Sequence, residues 1–217
     1  GRIWYGSAAA AEFHDMDWLT KHLPKDESVQ LRSLTNEYTN LVLAGPKSRE
    51  VLSDCARGDW SASGFPWLSV REAWVGHARA MVMSVSFSGE LAYEIHVPNA
   101  SLFAAYSALM KAGADHGIDH FGARAVDSMR MEKGYLHWKS DLITEFDPFE
   151  TSLDRFVQTE KEFHGKSALM GRGGKRRAFR MLEVNAIHAS PQPSDSLYSG
   201  GRIVGSITSA EWGHRTG

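Results

Sequence analysis

Three runs of strand character lie almost end to end between Val70 and Val97, separated only by turns. Val70 to Val75 reaches the turn signal Gly76-His77. Ala78 to Phe87 returns, with Met81, Met83, Val85 and Phe87 on one face by strict alternation. Ser88-Gly89-Glu90 makes the next turn, and Ala92-Tyr93-Glu94-Ile95-His96-Val97 forms the third strand, ended by Pro98. Connections this short join antiparallel neighbours. Upstream, Thr39 to Gly45 reads as a short buried strand. Pro46 then opens a helix, because its fixed φ and missing N–H suit the first helical position. That helix is expected to pass through Arg49, Val51 and Leu52 and stop near Gly58. Downstream, Asn99 or Ser101 is expected to cap a helix with Leu102, Phe103, Tyr106, Leu109 and Met110 at helical spacing. A second helix covers about Arg124 to Lys133 and is closed by Gly134. This order reads as α+β with an antiparallel sheet, not as a regular βαβ array.

Ser140 to Glu150 is polar, contains Asp147-Pro148 and reads as loop. Phe163-His164-Gly165-Lys166 leads into one short helical turn. Gly171 to Arg177 is glycine-rich and basic. It reads as a solvated linker; an RNA-contacting segment would want interleaved stacking aromatics, and only Phe179 is near. Phe179 to Val184, Arg202 to Gly205 and Ser206 to Ser209 read as strands of a small β unit, too few to close a sheet.

Composition narrows the function. With 24 Lys+Arg against 26 Asp+Glu, the net charge of -2 argues against a protein built to hold nucleic acid or an anionic membrane. One cysteine, Cys55, excludes an intrachain disulfide framework and a Cys-rich zinc site, so a reducing, intracellular compartment is expected. Cys55 falls on the helix after Pro46 and reads as a small hydrophobe. No stretch approaches the roughly 18 apolar residues of a membrane helix. The start, Gly1-Arg2-Ile3-Trp4-Tyr5, lacks an initiator Met and a signal-peptide pattern, and both ends read as cut from something larger.

His14-Asp15-Met16-Asp17 and His116-Gly117-Ile118-Asp119-His120 offer metal-ligand residue types. Gly117, however, breaks the helix that would put both imidazoles of the second group on one face, so surface loop is the expectation and no metal is assigned. There is no Gly-x-Ser-x-Gly elbow, Walker loop or Gly-x-Gly-x-x-Gly motif. Glu94 is more informative. Alternation puts Ala92, Glu94 and His96 on one strand face and Tyr93, Ile95 and Val97 on the core face. A carboxylate in mid-strand needs solvent, a cation or a ligand. It suits a ligand edge with two adjacent N–H donors, such as a pterin or guanine, because it accepts two parallel hydrogen bonds. An ordinary cross-strand ion pair is the alternative. Arg124 stands at a helix N-terminus, where a cation opposes the macrodipole. It implies an anionic ligand or a structural carboxylate. Arg130 and Glu132 lie further along, and a surface network is an equal alternative for them.

These motifs together resemble the aminomethyltransferase family. Ser86-Phe87-Ser88-Gly89-Glu90-Leu91-Ala92-Tyr93-Glu94-Ile95 resembles its Tyr-Thr-Gly-Glu segment ending in Glu-Ile or Glu-Leu. Gly122 to Gly134 resembles its arginine-bearing helix. Pro148 to Leu153, Phe163 to Leu169 and Ile207-Thr208-Ser209 continue in the same order. The family includes the glycine cleavage T-protein and the folate-binding C-terminal halves of dimethylglycine and sarcosine dehydrogenases. Leu43 to Leu52 and Met131 to Asp141 look more like the dehydrogenase branch.

The resemblance implies a folate-binding domain over 1–170 with its N-terminal part missing, a linker at 171–177, and the start of a C-terminal β-barrel at 178–217. It implies tetrahydrofolate as cofactor, with Glu94 on the pterin and Arg124 as a second ligand-contacting residue. Phe87, Ile95 and His96 complete the contact segment. Arg155 stands where relatives tend to carry a stacking aromatic, and an Arg can also lie flat on a π-face. The implied chemistry is one-carbon transfer from an N-methyl amine or a lipoyl-carried aminomethyl donor. FAD is implied only if an upstream domain exists, within a larger polypeptide or multienzyme complex. The family's catalytic aspartate falls upstream of the stretch matching Gly1 to Ala9. Asp15 and Asp17 match a later helical stretch, so no catalytic residue is assigned here. A non-catalytic folate-binding regulatory protein and a folate-dependent demethylase are the alternatives. The expected location is the cytoplasm, or the mitochondrial matrix in a eukaryote.

Overall fold

The computed structural model describes residues 1–173, 177–186 and 189–216. They group into two compact units, residues 1–135 with 213–217, and residues 136–212. In chain order the first holds helix α1 (Glu12–Lys21), strand β1 (Tyr38–Ala44), helix α2 (Ser48–Cys55), strands β2 (Val70–Val75), β3 (Ala78–Met83) and β4 (Ala92–Pro98), and helices α3 (Leu102–Gly113) and α4 (Ala123–Glu132). The second holds a short helix α5 (Lys166–Met170) and strands β5 (Ser196–Ser199) and β6 (Arg202–Ser206). The architecture is mixed helix and antiparallel sheet, as the alternation implied.

The sheet order is β1-β4-β3-β2, with every neighbouring pair antiparallel. β4 is therefore an interior strand. Period-two patterning divides the sheet into two faces. Tyr93, Ile95 and Val97 of β4 join Ala78, Ala80 and Val82 of β3 in the core, together with Leu52 of α2 and Ala105 and Leu109 of α3. Fully burying residues such as Ile95 or Val97 contributes about 1.5–3 kcal/mol each. Trp60 and Phe65, from the loop before β2, close one end of this core with an edge-to-face contact at 4.9 Å. Gly76 makes the β2–β3 turn at φ 57°, and a Cβ there would stand 2.6 Å from Cβ of Ala108, so only glycine lets α3 approach this turn.

Several boundaries depart from the sequence reading. β3 stops at Met83, not Phe87. Beyond it, Ser86 Oγ accepts from the Gly89 N–H and Ser88 Oγ from the Glu90 N–H, so local side-chain bonds replace the ladder. α2 begins at Ser48, two residues after Pro46, because Gly45 and Pro46 are used in a turn where the Ser48 hydroxyl bonds the Gly45 carbonyl. It ends at Cys55, since Ala56 turns extended and bridges Val75. Neither Asn99 nor Ser101 caps α3 by its side chain; the Asn99 amide instead donates to the Asn36 carbonyl.

In the second unit, 179–184 is not a strand. The Phe179 N–H bonds the Glu150 carbonyl and its ring meets Phe146 edge-on, leaving the segment docked on a loop. β5 and β6 pair as an antiparallel hairpin, and Ser206 to Ser209 adds no further strand. Of the expected linker, residues 174–176 lie outside the described residues. No helix among the described residues is long and apolar enough to cross a membrane.

Candidate functional site

The face of the sheet opposite the core is open. It carries Asn40 and Val42 on β1, Glu94 and His96 on β4, Arg79, Met81 and Met83 on β3, and Val70, Glu72 and Trp74 on β2, with Arg79 paired to Glu72. Glu94 sits in the interior strand, opposite Val42 on one side and Met83 on the other. His96 sits opposite Asn40 and Met81. No cation faces Glu94 across the sheet, so the cross-strand ion pair is not formed. Its nearest polar neighbour is in its own strand: His96 Nε2 lies 3.2 Å from Glu94 Oε2. That nitrogen is buried and makes no hydrogen bond, so the contact has ion-pair distance without hydrogen-bond alignment. Glu94 keeps 34% of its side chain exposed, enough to receive a ligand.

Ile95 is wholly buried and faces the core, so its side chain has no path to the open face. Phe87 lies in the loop between β3 and β4 and is 42% exposed. Arg124 is the second residue of α4 and is exposed. α4 has no acidic residue in its first turn, and among the described residues no carboxylate pairs with Arg124, so the structural ion pair expected as one reading is not formed there. Glu94 and Arg124 share no hydrogen bond or ion pair. Arg155 belongs to the second unit, in a 3-10 turn, with its guanidinium 4.8 Å from the Phe156 ring centre.

Sequence reasoning missed two features of α4. Arg130 is not a surface residue. It is 3% exposed, with Nε donating to Asp127 at 3.1 Å and Nη1 to the Tyr135 carbonyl at 3.1 Å. The Asp-x-x-Arg spacing was the available signal. Glu132 is held by Arg215, 83 residues away in sequence, which no local pattern announces.

The histidine groups are engaged elsewhere. His116 Nε2 lies 2.8 Å from Asp54, and His120 Nε2 lies 3.0 Å from the Tyr106 hydroxyl. Burial, with Asp54 adjacent, pushes the Cys55 thiol up to about 11, so it is a weak nucleophile. In the second unit, buried Asp141 accepts from Thr208 Oγ1 at 2.5 Å, Ser209 Oγ at 2.7 Å and the His137 N–H at 2.7 Å. The family-like Thr208-Ser209 pair thus tethers a carboxylate within that unit.

Fold and site together define an antiparallel α+β domain that presents a carboxylate from the middle of its open sheet face. A family model described as the GCVT N-terminal domain matches residues 1–161. The chain belongs to this aminomethyltransferase family. It is 30% identical over 214 residues to human mitochondrial dimethylglycine dehydrogenase, covering 96% of this chain and 25% of that protein. It is 34% identical over 190 residues to mouse mitochondrial sarcosine dehydrogenase, covering 85% of this chain and 20% of that protein. It is 31% identical over 212 residues to the mouse mitochondrial pyruvate dehydrogenase phosphatase regulatory subunit, covering 94% and 24%. The chain thus spans about a quarter or less of each of these relatives.

Proposed function

We propose that this chain is a tetrahydrofolate-binding, one-carbon (aminomethyl or methylene) transfer domain of a dimethylglycine or sarcosine dehydrogenase-like protein. One observation carries the reading. Glu94 is a half-exposed carboxylate on an otherwise largely apolar sheet centre, facing Val42 and Met83 with no cross-strand cation. Such a group fits the paired N–H edge of a pterin, because two parallel charge-assisted bonds offset its partial desolvation. Arg124, exposed and without a carboxylate at the positive end of α4, supports an anionic contact.

Tetrahydrofolate would supply N5 as the acceptor of the one-carbon unit. Glu94 would hold the pterin, His96 would crowd one carboxylate oxygen and so bias which oxygen faces the ligand, and Phe87 would cover a ring face. Arg155 and the β5–β6 hairpin, as the start of a β-barrel, belong to the same reading. So do an N-methyl amine or lipoyl-carried donor, FAD on a separate domain of a larger polypeptide, and a mitochondrial matrix or cytoplasmic location. The test is calorimetric titration with 5-formyltetrahydrofolate, wild type against Glu94→Ala. Saturable binding lost in the variant supports the reading, and no binding by folded wild type overturns it.

A second reading is a non-catalytic folate-binding regulatory protein. The similarity to a protein named as a phosphatase regulatory subunit favours it. Formation of 5,10-methylenetetrahydrofolate by the complete polypeptide separates the two.

A further inference from the structure

Two carboxylates, from different elements, converge on one guanidinium in the first unit. Glu90 lies in the turn before β4 and keeps 21% of its side chain exposed; Glu132 ends α4 and keeps 11%. Arg215 Nη2 donates to Glu90 Oε1. The Arg215 main-chain N–H donates to Glu132 Oε1 at 2.7 Å, and its Nε lies 3.8 Å from Glu132 Oε2. Among the described residues, Arg215 is the cation paired with both carboxylates. Without Arg215, two half-buried like charges would face each other and drive the elements apart. The same junction is closely packed. Gly89, at φ 77°, lies against Lys133, where a Cβ would stand 2.1 Å from the lysine Cγ.

We propose that Arg215 is a positioning residue that clamps the turn before β4 to the end of α4 and so sets the geometry of the ligand site. This rests on the folate reading. Glu94 is four residues beyond Glu90, about 13 Å along the chain. Arg124 is eight residues before Glu132, about 12 Å along α4. Both ligand-contacting residues therefore ride on short, stiff elements anchored at one clamp. A shift there is carried to Glu94 and Arg124, although Arg215 touches neither.

The experiment uses the 217-residue chain. Affinity for 5-formyltetrahydrofolate is measured for wild type, Arg215→Gln, Arg215→Lys and the Glu90→Gln/Glu132→Gln pair. The temperature is one at which circular dichroism shows each fully folded. Amide exchange over residues 88–91 and 130–135 is followed in ligand-free wild type and Arg215→Gln. Arg215→Gln is expected to weaken binding at least tenfold and to speed exchange in both segments. Arg215→Lys, which keeps the charge, should recover part of the affinity. Adding Arg215→Gln to the Glu pair should cost nothing further, since the three act as one unit. Unchanged exchange overturns the clamp. Faster exchange with affinity within twofold of wild type overturns the positioning role and leaves a purely structural contact. If wild type itself does not bind, the folate reading falls and the positioning role falls with it; exchange then decides the clamp alone.

Discussion

His96 Nε2 stands 3.2 Å from Glu94 Oε2 on the open face of β4, too poorly aligned to donate a hydrogen bond. The carboxylate therefore has a neighbour that restrains it without consuming its acceptor capacity. Removing each partner should have unequal effects. Glu94→Ala should weaken 5-formyltetrahydrofolate binding by about 3–6 kcal/mol, the net value of two charged hydrogen bonds. His96→Ala should cost about 1 kcal/mol or less, because the imidazole makes no hydrogen bond to the carboxylate and the contact is partly exposed. Calorimetric titration of both variants measures the difference; an equal loss would mean that His96 contacts the ligand as strongly as Glu94.

Cys55 should be inert in the folded chain. Its thiol is pushed up to about 11 by burial, then by Asp54, against 9.0 for an unperturbed group. The direction also sets a pH trend: the contribution to stability is present below about pH 9 and is lost as pH rises toward 11. At neutral pH, iodoacetamide labelling followed by mass spectrometry should be at least tenfold slower in the native protein than in urea. Comparable rates would contradict the burial.

Glu150 should make the second unit acid-sensitive. Its carboxylate accepts from the main-chain N–H groups of Asp147 and Arg177, in that order of importance, and these hold it below the usual carboxylate range. A depressed folded value contributes stability above the unfolded value, near 4.5, that is lost as pH falls through the folded one. Acid unfolding followed by the fluorescence of Trp138 and Trp212 should show a shallower pH dependence in Glu150→Gln. A wild-type-like slope would assign the acid limb to another group.

Arg130→Ala should destabilise the chain by about 2–3 kcal/mol, because it leaves Asp127 and the buried end of α4 without their donor. Urea denaturation reads this directly. A change under 0.5 kcal/mol would mean that water replaces the guanidinium.

Gly76→Ala should lower the thermal midpoint by several degrees. The new Cβ meets Ala108 at 2.6 Å and the residue must hold φ 57°. The backbone cost alone is about 1–2 kcal/mol.

Much of the sheet was readable because a strand repeats every two residues. Tyr93, Ile95 and Val97 announce a buried face, and that same alternation places Glu94 and His96 opposite. β1, β2 and β4 fall within a residue or two of their expected limits for this reason. The Phe179 to Val184 region failed the same test, since a run of strand-forming residues becomes a strand only if a partner backbone is available, and Phe179 found the Glu150 loop instead.

What the sequence determined alone is therefore periodic and local: the α+β class, the two faces of β4, the glycine at the β2–β3 turn, and the position of Arg124 at the start of α4. The tertiary structure alone decided that β1 lies on the other side of β4, and the register of both neighbours, and so that Val42 and Met83, not a cation, face Glu94. It alone buried Arg130 and brought Arg215 onto Glu90 and Glu132, 125 and 83 residues away along the chain. Those outcomes depend on which surfaces meet once hydrophobic burial closes the core, and that driving force is non-directional, leaving no periodic trace in the residues that end up as partners.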